Sequence, residues 1–355
     1  PSRGLRTPRQ EQELATTDIT EIAPGVLRSQ LPIDVPGLGH VNCYLLEDER
    51  GVAVVDPGMP DAASWDALVD RLARAGYTPA NVHTAIVTHS HPDHFGGAIR
   101  LQREFGADVV SHESFRTIFQ SDGSEDSADL EVNSDDSMIE AIERYIRRPA
   151  PWGGERPGPP PEFFALLRSG QVVGDHMTER LTPTVRLVDS QVVRFARREW
   201  VAMHTPGHTH DHLCLFDPEH GVVFTGDHVL PSITPHISGI ADHHDPLALF
   251  VQSQQRMIDM TGVTIALPAH GHPFTDLAGR AAHIIEHHDE RLNLIRGARG
   301  DLPNGTVHDF MQVLFQPRSW GGMAESETYA HLEHLRELGE MRRTDEAGIA
   351  HYSAV

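Results

Sequence analysis

Cysteine is almost missing from this chain: Cys43 and Cys214 are the only two in 355 residues. Both sit in apolar stretches that read as strands, so buried free thiols are expected and no disulfide framework is needed to stabilise a core of this size. Long apolar runs are lacking as well. No window approaches the roughly 18 continuous apolar residues of a membrane span. The N-terminus carries Arg3, Arg6 and Arg9 without the apolar stretch of a secretory signal. A soluble, cytoplasmic chain with no membrane partner is the expectation. Basic side chains are in short supply, 29 against 51 acidic ones, for a formal net charge of -22. A field of that sign repels phosphate backbones, so nucleic acid is not an expected partner. It does not decide the potential inside a pocket where metal cations would dominate.

Histidine is plentiful, with 25 in the chain. A lone histidine in such a sequence reads as a surface or hydrogen-bonded residue, but the run Thr88-His89-Ser90-His91-Pro92-Asp93-His94 places four ligand-type side chains directly after the apolar segment 84–87. Imidazole and carboxylate suit zinc and related first-row metals, and a strand entering a short loop can turn several of them to one point. Three more candidates stand where later apolar runs end: His208 in HTPGHTHDH, Asp227 in FTGDH and His270 in LPAHGH. Each has a glycine or proline beside it, which suits a sharp turn at a strand end.

In these motifs the chain closely resembles the metallo-β-lactamase-fold superfamily, whose hallmark is H-x-H-x-D-H followed by a downstream His, Asp and His. Asp56 in Val54-Val55-Asp56-Pro57-Gly58 matches a position that the family uses to brace the metal loop. The resemblance implies that His89, His91 and His208 hold one metal, that Asp93, His94 and His270 hold a second, and that Asp227 bridges them. It further implies two divalent ions, zinc first with iron or manganese as alternatives, and an α/β fold, the αββα sandwich.

Helical and strand periodicities support that layout. Strands are predicted at 26–31, 41–46 and 52–55, and a helix over 62–75 with Trp65, Leu68, Val69 and Leu72 on one side. A polar tail over 1–18 precedes a catalytic domain at 19–288, which carries an insertion at about 119–181 rich in acidic residues, proline and glycine. Two readings of the insertion stand side by side, a solvated excursion and a lid whose Tyr145, Trp152, Phe163, Phe164 and Leu167 line an apolar pocket. His236, His243 and His244 read as loop histidines, one of which could orient a ligand or meet substrate; His283, His287 and His288 read as a solvated helix face and His272 as a neighbour of the site. Residues 289–355 resemble a small winged-helix-like α+β unit. Its acidic residues Glu325, Glu327, Glu333, Glu337 and Glu340 favour packing or homodimer formation over groove reading.

Two divalent ions sharing a water lower its pKa from about 15.7 toward about 7 and so supply a metal-bound hydroxide at neutral pH. Asp93 is the catalytic candidate that orients this nucleophile. The expected function is a dinuclear-metal hydrolase acting on a small-molecule ester, thioester or lactone with an apolar acyl part. The resemblance extends to the branch that contains β-lactamase-like protein 2 and hydroxyacylglutathione-hydrolase-like enzymes. A β-lactamase, or a ribonuclease or other phosphodiesterase, is the alternative that the same ligand set allows.

Overall fold

The computed structural model describes residues 9–117, 140, 143–144, 147–154, 156, 158, 181–195, 197–240 and 243–355. A seven-stranded sheet runs in chain order through β1 (Thr20–Ala23), β2 (Val26–Val35), β3 (Leu38–Asp48), β4 (Gly51–Val55), β5 (Val82–Ile86), β6 (Asp108–His112) and β7 (Val185–Leu187). It is antiparallel from β1 to β4 and parallel from β4 to β7. The facing five-stranded sheet contains β8 (Val192–Phe195), β9 (Arg198–His204), β10 (Leu213–Asp217), β11 (Val222–Gly226) and β12 (Ile265–Pro268), with β11 and β12 parallel.

A side-chain period of two explains why the sheets are covered on both sides. Val41, Cys43 and Leu45 on β3 join Val52 and Val54 on β4 in an outer cluster, whereas Tyr44, Leu46, Ala53 and Val55 join the core between the sheets. Strands that are apolar on both faces need two covering layers. Helices α1 (Ala62–Arg74) and α2 (Pro92–Phe105) supply one through Trp65, Leu68, Leu72, Phe95 and Leu101. The other comes from α3 (Pro246–Asp259) and α4 (Leu277–Ala298), through Phe250, Met257, Leu277 and Ile284. Between the sheets, Phe224 packs against Tyr44 and Trp200 with ring centroids 5.1 and 5.0 Å away. The predicted αββα layering is therefore the one observed, and Cys43 and Cys214 are buried free thiols as expected.

After α4 come β13 (Gly305–Thr306), α5 (Val307–Leu314), α6 (Gly322–Glu337), β14 (Met341–Glu346) and β15 (Ile349–Ala354). The hairpin β14–β15 turns at Ala347 and Gly348, whose φ values of 51° and 82° are those of a two-residue primed turn. Phe310, Leu332, Leu335 and Tyr352 from this region share one core with Phe250 and Ile284. His288 therefore does not lie on a solvated face: it is fully buried where α6 covers α4, while His283 is exposed. Most of the insertion, including Tyr145, Phe163, Phe164 and Leu167, lies outside the described residues, and with it the lid reading. Trp152 is described, and it is buried against Tyr329 with its Nε1–H donated to Glu325, so it packs the C-terminal core and does not face an open pocket.

Candidate metal centre

All seven candidates meet at one edge of the sandwich, where β5, β9, β11 and β12 end. β5 stops at Ile86, and the following loop carries His89 and His91 into the N-terminus of α2, where Pro92 takes the first turn without needing a backbone N–H. Asp93 and His94 thus project from that first turn. Asp56, at the end of β4, holds the loop from below: its carboxylate accepts from the Thr88 N–H (2.9 Å), the Thr88 hydroxyl (2.8 Å) and His94 Nδ1–H (2.9 Å). It does so with φ at 52°, a left-handed conformation costly for a non-glycine residue and found where surrounding contacts over-determine the backbone.

Close approach explains the glycines behind this loop. A Cβ on Gly96 would stand 2.0 Å from the Pro60 nitrogen, and one on Gly97 2.2 Å from the Pro57 oxygen. Gly96→Ala must therefore displace α2 or the 57–60 backbone, and a loss of about 1–3 kcal/mol in urea unfolding is expected, as for other overpacked sites. A midpoint unchanged from the parent would show that the loop yields freely.

Four of the five histidines are fixed as a ligand would be. The Thr88 hydroxyl donates to Asp56 and so accepts from His89 Nδ1–H (3.1 Å); His208 Nδ1–H donates to the His236 carbonyl (2.7 Å), and His270 Nδ1–H to the His40 carbonyl (2.6 Å). With His94 bonded to Asp56, four imidazoles have one nitrogen committed and present Nε2 to the centre, whereas His91 presents Nδ1. Such outer partners set the tautomer and orientation of metal-binding histidines.

The presented atoms fall into two groups. His91 Nδ1 lies 3.0 Å from His89 Nε2 and 3.1 Å from His208 Nε2. Asp93 Oδ2 lies 3.3 Å from His94 Nε2 and 3.4 Å from His270 Nε2. Asp227 stands between them, with Oδ2 3.5 Å from His208 and 3.7 Å from His94, and Oδ1 3.3 Å from His270. Atoms bound at about 2.0–2.2 Å in a tetrahedron are about 3.3–3.6 Å apart, so this spacing suits first-row divalent ions. The donor set of five imidazoles and two carboxylates suits them too. His94 Nε2, His270 Nε2 and Asp227 Oδ1 are buried without a hydrogen-bond partner, a costly arrangement that cations relieve.

Electrostatics separate the two groups. Burial keeps His89 well below its ordinary pKa, lowers His91 to about 3 and also lowers His208, so these imidazoles are neutral at pH 7. Burial acts the same way on His94 and His270, but carboxylates outweigh it. Asp93, Asp227 and Asp56 push His94 well up, and Asp227 with Asp93 pushes His270 up to about 10. Without metal, two imidazolium charges thus offset Asp93 and Asp227, both held below the usual carboxylate range against the opposing effect of burial.

Several supporting residues fall outside the candidate ligand set. His212 Nε2 accepts the Asp227 N–H at 3.1 Å and fixes the backbone at that residue. His40 holds the His270 loop twice, through its carbonyl and through its Nε2, which accepts the Gly271 N–H at 3.1 Å. His236 acts through its carbonyl, while His243 and His244 are exposed, and His272 pairs with Glu13 at the surface. Within the segment read as a tail, Glu11 is fully buried and its carboxylate accepts from the Ser232 N–H at 2.7 Å and the Ile233 N–H at 3.1 Å.

Comparison with known proteins agrees with this architecture. A protein of the metallo-β-lactamase family from Thermus thermophilus is similar at 28% identity with a TM-score of 0.74, over 94% of this chain and 100% of that one. A β-lactamase domain protein from Burkholderia ambifaria is 26% identical with a TM-score of 0.72, over 97% of each chain. Among curated proteins, an atrochrysone carboxyl ACP thioesterase from Aspergillus terreus is 28% identical across 46% of this chain and 49% of its own length. The chain spans about half the length of the first curated relatives it matches. No helix among the described residues is long and apolar enough to cross a membrane. The family model described as the metallo-beta-lactamase superfamily matches residues 36–270, from the turn between β2 and β3 to the last candidate ligand, and the chain belongs to that superfamily.

Proposed function

We propose that the chain is a metal-dependent hydrolase of small carbonyl substrates, with a thioester as first choice and an ester or lactone next. The observation that carries this reading is the convergence of seven ligand-type side chains, four of whose five imidazoles have the outer nitrogen already bonded, with Asp227 oxygens facing both groups. The thioesterase name of a curated relative supports the choice of bond. The apolar acyl part rests on the sequence of the insertion alone, on Tyr145, Phe163, Phe164 and Leu167, which lie outside the described residues.

In this reading His89, His91 and His208 hold one divalent ion, Asp93, His94 and His270 the other, and Asp227 both. Zinc is the first choice of metal, and such a pair supplies Lewis acidity together with a water of lowered pKa. The chain's own contribution is orientation and proton transfer. In this reading Asp93, ionised and in the first turn of α2, orients the attacking water through its carboxylate and takes up the proton that the departing thiol or alcohol then receives. The committed Nδ1–H bonds keep the imidazoles from turning away.

Thioester, ester, lactone, β-lactam and phosphodiester substrates offered to zinc-loaded protein test the proposal. Thioester turnover that chelation abolishes is the expected result. Preferred turnover of a cephalosporin or of RNA would overturn the substrate class, and no turnover of any would overturn the hydrolase reading.

A further inference from the structure

The loop that follows the Asp227 motif, residues 231–240, has no helix or strand, yet its His236 carbonyl sets the orientation of His208. Such a segment holds its place only through outside contacts. Three elements provide them. Glu11 grips Ser232 and Ile233, and Arg280 on α4 donates to the Leu230 and Ile233 carbonyls, both at 2.6 Å. The third is α6, whose Ser326 hydroxyl accepts the Gly239 N–H at 3.0 Å and whose Glu327 accepts His236 Nδ1–H at 3.3 Å.

Glu327 is itself fixed from both sides. Arg291 on α4 donates to its other oxygen at 2.6 Å. Its backbone carbonyl accepts His331 Nδ1–H at 2.7 Å, which leaves His331 Nε2 to accept His288 Nδ1–H at 3.1 Å. His288, Glu327 and His331 bring ligand-type atoms within 4.8 Å of one another, so a third cation has to be weighed. Charge argues against it. The two imidazoles are neutral, and the Glu327 carboxylate is already offset by the Arg291 guanidinium. An added divalent ion would leave about two positive charges uncompensated in a buried place.

We infer that Glu327, from the C-terminal unit, is a positioning residue of the metal centre: by holding the His236 ring it fixes the His236 carbonyl that orients His208. This rests on the metal reading above, and it makes α6 part of the site's scaffold. Residue 236 is held at both ends, by its ring on Glu327 and by its carbonyl on His208, so freeing the ring lets the carbonyl move.

The test compares zinc affinity by chelator competition in the full-length protein. Wild type must first take up two equivalents; if it takes up none, the metal reading fails and Glu327 is not at issue. The double variant Arg291→Met/Glu327→Leu replaces the ion pair with apolar groups of similar volume, a change that is often neutral for folding. It is expected to weaken the cation held by His208 by about 10- to 100-fold, as the loss of outer-shell partners does, and to leave the other nearly unchanged. Glu327→Gln retains an acceptor for His236 and should stay within a few fold of wild type. Wild-type affinity in the double variant, or equal losses in both variants, would overturn the inference. So would a third zinc equivalent that disappears in His331→Gln.

Discussion

Asp227→Ala is expected to empty both halves of the centre and to lower kcat/KM by at least about a thousandfold, since polarisation by a metal pair contributes several kcal/mol to the transition state. The reason is geometric. Asp227 Oδ2 lies 3.5 Å from His208 Nε2 and its Oδ1 lies 3.3 Å from His270 Nε2, so one side chain serves both groups. Removing it leaves three neutral imidazoles on one side without an anion. On the other side Asp93 is left as the one carboxylate presented to His270, while His94 keeps Asp93 at its Nε2 and Asp56 at its Nδ1. His270→Ala touches only the second group and should leave close to one equivalent of metal bound. Elemental analysis of the two variants after exhaustive dialysis checks this. If the Asp227 variant carries as much metal as the parent, the bridging assignment is wrong.

The candidate ligands are legible in the sequence because each stands at the end of an apolar run, and a sandwich of two sheets brings such ends to one edge. Asp56 is legible for the same reason. The supports are not, since the groups holding His208 and His270 are the carbonyls of His236 and His40, and a carbonyl is present at every residue whatever its side chain. His40 and His270 are 230 positions apart, beyond any local pattern. Glu11 reads as part of a polar tail because nothing nearby in sequence reveals the 232–233 backbone amides that it satisfies. Helical periodicity puts His288 on a solvated face because it identifies one apolar stripe, whereas α4 is covered on a second side by α6. Glu327 reads as one more surface acid on a helix rich in them, and only its buried pairing with Arg291 and His236 sets it apart.

The unequal electrostatics of the two groups predict that zinc enters them differently with pH. His89, His91 and His208 are depressed by burial, so they are free of protons at neutral pH and the first cation has none to displace there. His94 and His270 are raised, the latter to about 10, so at pH 7 both carry protons that metal must expel. The sign follows from the folded-state values. The bonus to stability from protonating these two in the metal-free protein is fully present below the unfolded histidine value of about 6.5, and it fades as pH rises through about 10 for His270. Over the same interval binding of the second cation strengthens, by up to about a hundredfold per pH unit while both protons remain to be lost. At a limiting free-zinc concentration the metal content should therefore climb from near one equivalent at about pH 6 to near two at about pH 8.5, with the second equivalent releasing about two protons more than the first. Stoichiometry after equilibrium dialysis, paired with proton release into a weakly buffered indicator, reads both quantities. Two equivalents taken up together at every pH, with equal proton release, would mean that Asp93 and Asp227 do not hold protons on His94 and His270, and that the two groups are electrostatically alike.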